Sequence, residues 1–389
     1  MKVRSLLAVA VMGLWIMCPS VHGEDNVKQA RLAGSWYPGG KAELQRMLDG
    51  FFAGVTSAGD VPPAADIAVV VSPHAGYVFS GPVAAHGFKA AQGRKVSTVI
   101  ILAPTHHISF QGASIWPEGA FTTPLGSAAV DQALAARIMA EDGLFQFRRD
   151  VFEGAPGYPE NSVETQLPFI QRAFPEAKIV PVILGFPPDP QAVRAAASAL
   201  ARAVAGRDDV LLAVSVDQSH FHALEEAKAI DRRGLDAIER FDIDGLWTGH
   251  AGGGMEVDGF HVVTAAMLYA KELGYGRAKV LKYATSADAS GDARRVVGYA
   301  SILFYRSPAV PAEEGVLPLT AAHKARLVEI ARATLDTFVR TGKAPAVEEK
   351  DPRLLQEEGA FVTLTMHGQL RGCIGHIIGD GPLFRTVRD

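Results

Sequence analysis

Residues 68–77 have the sequence AVVVSPHAGY, in which a run of apolar, mostly β-branched residues ends in a histidine. The same pattern recurs in VIILAPTHH at 99–107 and in LLAVSVDQSH at 211–220. Continuous runs of this kind are typical of strands that are buried on both faces of a parallel α/β sheet. Because ligands of such sheets bind beyond the carboxyl ends of the strands, the pattern predicts a metal or acid/base site built from these histidines.

The candidate histidines have different surroundings. His74 follows a proline and precedes a glycine by two residues, so the backbone can turn sharply beyond the strand; a hydrogen-bonded loop histidine is the alternative. His106 and His107 are adjacent, so their side chains diverge and only one of them is expected in a shared site. Asp217 and His220 can lie on one face, where the carboxylate either orients the imidazole or caps the following helix.

Two further acidic residues lie near the starts of predicted helices. Glu164, within NSVETQLPF at 161–169, lies early in a helix, where an acid also stabilises the helix dipole. Asp258, within MEVDGFHVVTAA at 255–266, is by itself interpreted as a plain helix cap. The residues alone therefore leave a functional and a structural role open for both.

Strand-like and helix-like segments alternate along most of the chain, which predicts an α/β fold with a largely parallel, layered sheet and flanking helices. A pair of strands at 278–288 and 296–306 is expected to close this domain. The earlier predicted strands are 67–72, 98–103, 178–184 and 210–216. The predicted helices are 41–53, 82–92, 129–141, 164–174, 189–205, 222–240 and 261–273.

A second, smaller domain is expected after residues 307–319, which contain three prolines and no hydrophobic periodicity and are therefore predicted to be a linker. Thr320 can cap a helix, and residues 359–377 indicate a hairpin with His367 and Gly368 at its turn. Residues 320–389 are thus expected to form a small α+β domain. Domains of about 70 residues are marginal, so this one is either a fragment or completes itself against the first domain.

The N-terminal segment predicts export from the cytoplasm. Residues 1–23 combine Lys2 and Arg4 with an apolar stretch that ends at the small Gly23, as in a signal peptide of a periplasmic or extracellular protein. Cys18 would indicate a lipoprotein, but the bulky residues before it fit lipid-attachment signals poorly. Once the signal peptide is removed, no integral membrane segment is expected.

Composition excludes several classes of function. The formal net charge is -4 and basic tracts are lacking, which argues against binding to nucleic acid or to anionic membranes. Cys18 and Cys373 are the only cysteines, so the mature chain would keep one thiol and form no internal disulfide. Cysteine-rich zinc sites are excluded for the same reason.

Six segments in the first domain also carry a family resemblance. Together they resemble the Memo family over about 28–306, a family similar in fold to class III extradiol dioxygenases of the LigB type. The resemblance implies that His74 and His106 are metal ligands and that His220 is a nearby acid/base. The segments are LAGSWYPG at 32–39, SPHAGYVFSG at 72–81, APTHHISF at 103–110, TPLGSAAVD at 123–131, NSVETQLPF at 161–169 and VDQSH at 216–220.

Two positions depart from the family pattern. Where Memo proteins commonly have a cysteine before a glycine, this chain has Asp258, and if Asp258 takes the place of the dioxygenases' glutamate ligand the set becomes two histidines and one carboxylate. That set favours Fe(II), with copper as the alternative. Asn161 stands where relatives often have histidine, which argues against a proton-transfer role there.

The resemblance implies a non-haem Fe(II)-dependent oxidoreductase that acts on a small chelating or aromatic substrate. In this interpretation His220, oriented by Asp217, transfers protons. The candidates for substrate-binding or supporting residues are Tyr77, His107 and Glu164. The alternative is a metal-binding protein for iron or copper, or a scaffold, without turnover.

The last segment resembles a different family. GAFVTLTMHGQLRGCIGHI at 359–377 is similar to the start of an AMMECR-type domain, of which 320–389 would be the N-terminal part. The resemblance implies a functional association with a radical-SAM protein. Cys373 is either a reactive thiol whose pKa is lowered by the nearby Arg371 or an ordinary buried thiol.

Overall fold

The computed structural model divides the chain into two compact units, one up to Arg306 and one from Ser307 onward. The predicted signal peptide at 1–23, nearly all of the predicted linker and the predicted hairpin turn at His367 and Gly368 lie outside the described residues. The structure describes residues 26–56, 66–306, 319–366, 369–376 and 381–389.

The first unit is a layered α/β structure, as its sequence pattern predicts. Its strands are β1 (Val27–Lys28), β2 (Asp66–Ser72), β3 (Thr98–Pro104), β4 (Ala113–Ile115), β5 (Ala120–Thr123), β6 (Gly126–Ala129), β7 (Phe145–Gln146), β8 (Lys178–Leu184), β9 (Val210–Ser215), β10 (His220–His222), β11 (Arg277–Thr285) and β12 (Val296–Arg306). Its helices are α1 (Lys41–Gly54), α2 (Tyr77–Ala91), α3 (Gln132–Glu141), α4 (Arg149–Glu153), α5 (Leu167–Ala173), α6 (Pro190–Val204), α7 (Leu224–Glu239), α8 (Ile243–Ala251), α9 (Phe260–Glu272) and α10 (Ser286–Ser290).

The centre of the main sheet is parallel, with the strand order β2, β9, β3, β8. The long β12 pairs antiparallel with β2 at one side, and β4 pairs antiparallel with β8 at the other. Since β2, β3 and β9 run in the same direction, their carboxyl ends at Ser72, Pro104 and Ser215 lie at one edge of the sheet. The functional candidates follow these three ends.

The β-branched runs form the core. Val69, Val70 and Val71 of β2 and the central residues of β3 are fully buried, because helices cover both faces of the parallel strands. Burying one such side chain stabilises the fold by about 1.5–3 kcal/mol. The backbone of α2 packs so closely on β2 that a Cβ at Gly87 would lie 2.5 Å from Val70 Cγ1.

Several predicted boundaries were wrong at the ends of elements. The predicted strand 278–288 ends at Thr285, because Thr285 and Asp288 form a capping box that starts α10. The predicted helix 222–240 starts at Leu224, since residues 220–222 pair with β12 as β10. The helix α8 was not predicted from the sequence.

The second unit combines helices with an antiparallel pair of strands. Thr320 caps its long helix through a capping box with His323, and Gly342 ends that helix at φ 70°. Its core consists of Ile330, Leu354, Leu383 and Phe384. The elements are α11 (Ala321–Thr341), β13 (Ala360–Met366), β14 (Gln369–His376) and α12 (Leu383–Arg388). Within the described residues, no helix is both long and apolar enough to cross a membrane.

Candidate metal centre

Three side chains converge at the carboxyl edge of the main sheet. His74 follows β2, His106 follows β3, and Asp258 precedes α9. Oδ2 of Asp258 lies 3.1 Å from Nε2 of His74 and 3.0 Å from Nε2 of His106. The three ligand atoms lie within 4.8 Å of one another, so the residues could hold one metal ion.

The backbone around Asp258 shows why it is not the helix cap that the sequence alone suggested. The N-cap of α9 is Gly259, in the left-handed conformation with φ 69°. A Cβ at Gly259 would lie 3.0 Å from Pro104 Cγ and 3.1 Å from Val216 Cγ1, so glycine allows the loop to reach the edge of the sheet. The carboxylate of Asp258 is thereby directed to the two imidazoles.

A buried carboxylate orients His106 through Nδ1, the ring nitrogen that does not face Asp258. Glu160, only 2% exposed, accepts hydrogen bonds at 2.7 Å from Nδ1 and at 2.9 Å from the backbone N–H of His106. The backbone N–H of Ser162 also donates to Glu160. Because Nδ1 donates to a carboxylate, neutral His106 has a free lone pair on Nε2.

A hydroxyl holds His74 in the same way. Ser215 donates its single hydroxyl proton to the carbonyl of Ser162 at 2.5 Å and accepts from Nε2 of Gln166 at 3.0 Å. The contact of 3.1 Å between Ser215 Oγ and Nδ1 of His74 is therefore a hydrogen bond donated by the imidazole. Neutral His74 thus also presents the lone pair of Nε2 to Asp258.

The resulting arrangement calls for a positive charge. Two imidazole lone pairs and a carboxylate oxygen face one another at 3.0–3.1 Å, and they repel one another unless a proton or a metal cation lies among them. Two atoms that both bind one ion at about 2.1 Å lie at most about 4.2 Å apart, and the two separations between Asp258 and the histidines fall within that limit. The donor set of the chain therefore fits a divalent metal ion.

The electrostatics of the protein groups at the site also favour a bound cation. Burial by itself would lower the pKa of His106, but hydrogen bonds and charges from Asp258 and Glu160 outweigh it and raise this pKa to about 10. Burial opposes ionisation of Glu160, yet His106 lowers the pKa of Glu160 to about 2. For Asp258, burial likewise acts to raise the pKa, whereas the two histidines lower it well below its usual value. The site thus concentrates negative charge around one position.

Asp217 and His220 lie beside this position, but their expected contact is not the one observed. Oδ1 of Asp217 accepts a hydrogen bond of 2.8 Å from the backbone N–H of His74, so this buried carboxylate holds the turn after β2. Nδ1 of His220 donates instead to the carbonyl of Gln218 at 3.0 Å. That bond leaves Nε2 of His220 as a proton acceptor. Burial raises the pKa of Asp217, although His74 and His220 act in the opposite direction.

Comparison with known proteins identifies the family of the chain. The family model described as Memo-like protein matches residues 28–303, and the AMMECR1 family model matches residues 328–389. The chain belongs to the Memo family. A MEMO1 family protein of Desulfurococcus amylolyticus is 34% identical over 281 residues, which is 70% of this chain and 97% of the relative. Another from Methanosarcina mazei is 35% identical over 281 residues, 72% of this chain and 99% of the relative.

Two cavities adjoin the metal position of this Memo-family chain, and His106, His220 and Asp258 line both of them. The outer cavity, about 430 Å³, has an aromatic rim. The inner cavity, about 400 Å³, lies on the side of α9. Further residues of the outer cavity are Trp36, His107, Tyr158 and Phe221; those of the inner cavity are Phe186, Gln218, His250, Phe260 and His261.

The remaining predicted site residues have separate positions. His107 lines the outer cavity together with His106, but it is not one of the three residues whose ligand atoms converge. Tyr77 and Glu164 are not among the residues that line either of these two cavities, so of their two expected roles, substrate binding or support, their positions fit support. Tyr77 is buried and donates to the carbonyl of Thr165. The side chain of Cys373 lies outside the described part of the structure.

Glu164 has a structural role on the far side of the site. Its carboxylate accepts hydrogen bonds from the backbone N–H groups of Arg31 and Leu32 and from the hydroxyl of Tyr37. The segment held in this way carries Trp36, which lines the outer cavity. Glu164 therefore holds in place the backbone of a segment that forms part of the wall of the outer cavity.

Proposed function

We propose that this Memo-family protein is a non-haem Fe(II)-dependent oxidoreductase of the extradiol-dioxygenase type that acts on a small chelating aromatic substrate. The donor set of His74, His106 and Asp258 supports Fe(II), because two imidazoles and one carboxylate leave open positions on this ion. When bound, the metal would act as a Lewis acid and would hold O₂ and substrate together.

A cavity beside the metal position is the observation that carries this proposal. A protein that only sequesters a metal needs no substrate-sized space at the metal, whereas two cavities of about 400 and 430 Å³ meet at the metal ligands here. Their volumes suit a single substituted aromatic ring. Metal binding without turnover is the alternative function.

His220 is the residue we assign to proton transfer. It lines both cavities, and the bond from its Nδ1 to the Gln218 carbonyl fixes the tautomer with an unprotonated Nε2. A substrate hydroxyl that approaches the metal position can donate its proton to this nitrogen. The same group can return the proton to the product.

The test is anaerobic loading with Fe(II), followed by measurement of O₂ uptake across a panel of catechols. We expect uptake with at least one chelating aromatic compound. The variant His220→Ala should keep a near-normal metal content and lower kcat by about 10²–10⁴-fold, the usual contribution of a general base. Metal loss in His220→Ala would make His220 a ligand instead. Metal binding without O₂ uptake across the panel would favour the alternative function.

A further inference from the structure

An exposed aromatic residue of the outer cavity has an unfavourable backbone conformation. Phe221, next to His220, lies in the left-handed region with φ 66°. This region is unfavourable for a bulky residue. The side chain of Phe221 is nevertheless 60% exposed and lines the outer cavity, so its burial does not explain the conformation. Backbone outliers of this kind cluster at functional sites.

The pairing of β10 with β12 creates this conformation. His220 pairs with Val297, and His222 pairs with the adjacent Val296. Phe221 is therefore one extra residue on β10, and the pair of strands contains a β-bulge there. Bulges next to a site can direct a side chain that a regular strand would place elsewhere.

The residues on both sides of the bulge are fixed. Before it, the backbone N–H of Ser219 donates to the buried Asp231 at 2.9 Å, and the carbonyl of Ser219 accepts from Gly298 at 3.0 Å. After it, Nε2 of His222 lies 2.9 Å from both carboxylate oxygens of Glu256. The bulge is therefore a preformed part of the cavity wall.

The ring of Phe221 is also supported from the side. The guanidinium carbon of Arg295 lies over this ring, 5.0 Å from its centroid. The ring of His220 meets it in an edge-to-face contact, with the centroids 5.5 Å apart. A flat ring that packs on Phe221 would thus lie beside the residue that we assign to proton transfer.

The outer cavity is also the one that meets the complete donor set. His74, His106 and Asp258 all line it, whereas His74 is not among the described residues that line the inner cavity. A chelating molecule in the outer cavity is therefore next to all three candidate ligands. The bulge places Phe221 at this same cavity.

We propose that the substrate binds in the outer cavity and that Phe221 is a specificity-determining residue that packs on the aromatic ring of the substrate. This inference rests on the proposed function, because the chelating groups of the same molecule would lie at the metal position. The bulge then holds the ring of Phe221 where the substrate needs it, at the expense of backbone stability.

The experiment compares a chelator that has an aromatic ring with one that has none. The Fe(II)-loaded wild type, Phe221→Ala and Phe221→Tyr are titrated anaerobically by calorimetry with catechol and with acetohydroxamic acid. We expect Phe221→Ala to weaken catechol binding by about tenfold, because a contact between two rings is lost. Binding of acetohydroxamic acid should stay unchanged. Phe221→Tyr keeps the ring and should retain the affinity for catechol.

Phe186→Ala makes the same truncation at the inner cavity, where Phe186 is 48% exposed. We expect its loss of catechol affinity to be much smaller than that of Phe221→Ala. A larger loss in Phe186→Ala would place the ring in the inner cavity and overturn the inference. An equal loss for both chelators in Phe221→Ala, or no loss for either, would overturn it as well.

A second readout separates this role from a merely structural one. At φ 66° alanine is strained but glycine is not, so Phe221→Gly should have a higher Tm than Phe221→Ala, the reverse of their usual order. Both variants lack the ring and should bind catechol equally weakly. A lower Tm in Phe221→Gly, or catechol binding that recovers with the Tm, would contradict the inference. If Phe221→Ala does not fold, Phe221→Gly replaces it in the titrations.

The metal titration is run first, so the two proposals fail in different ways. If the wild type binds no Fe(II), or binds Fe(II) but not catechol, the proposed function is wrong and the inference fails with it. If the wild type binds both and Phe221→Ala binds catechol equally well, only the assignment of Phe221 is wrong.

Discussion

The two histidines of the candidate metal centre occupy equivalent places at the ends of β2 and β3, two parallel strands on either side of β9, but are held by different groups. His106 donates to the buried carboxylate of Glu160, whereas His74 donates to the neutral hydroxyl of Ser215. A carboxylate partner makes an imidazole more basic than a hydroxyl does, and charge-assisted hydrogen bonds are roughly twice as strong as neutral ones. The comparison predicts that His106 would bind a metal ion more strongly than His74.

The largest expected effect comes from removing either imidazole. His74→Ala and His106→Ala each delete a ligand, so both variants should lose the metal during gel filtration. The check is the metal content per chain by mass spectrometry after anaerobic loading. His107→Ala is the matched control, because His107 is adjacent to His106 but is not among the three residues whose ligand atoms converge. Equal metal loss in the control would show that the effect is not specific to the ligand pair.

A smaller effect is expected when the charged partner of His106 is changed. Glu160→Gln removes the negative charge and places an amide against the donors of His106, so the Fe(II) affinity should fall by about 10–100-fold. Competition with a chelator of known affinity measures this change. Glu176→Gln, at an exposed position, is the control for the loss of one carboxylate. Unchanged Fe(II) affinity in Glu160→Gln would contradict the prediction that His106 binds the metal more strongly than His74.

The smallest effect on metal binding is expected when Ser215, the neutral partner of His74, is changed. Ser215→Ala removes one acceptor from His74 and leaves the Nε2 of Gln166 with one partner fewer. We expect the affinity to fall less than in Glu160→Gln, together with a loss of stability of about 1–3 kcal/mol from unpaired buried groups. Chelator competition and urea unfolding measure the two quantities. A larger loss of Fe(II) affinity in Ser215→Ala than in Glu160→Gln would show that His74, and not His106, contributes more to metal binding.

The same contrast shows what the sequence could and could not predict. The strands before His74, His106 and His220 were predictable, because a buried parallel strand leaves a local pattern of apolar residues. The convergence of these residues followed from the shared direction of the strands. Asp258 was assigned only through the family resemblance, since its local pattern is that of a helix cap.

The supporting residues were not predicted, because their contacts are long-range. Glu160 and Ser215 lie 54 and 141 residues from the histidines that they hold. Neither residue lies in a local sequence pattern that would single it out as a partner of a histidine.

The most direct test of the metal centre is an anaerobic Fe(II) titration of the wild type and Asp258→Ala. Asp208→Ala is the control, because that carboxylate is 90% exposed. We expect one tightly bound ion per chain in the wild type and in the control, and a loss of tight binding in Asp258→Ala. Equal Fe(II) affinity of the wild type and Asp258→Ala would contradict the assignment of Asp258 as a ligand and, with it, the two-histidine, one-carboxylate site.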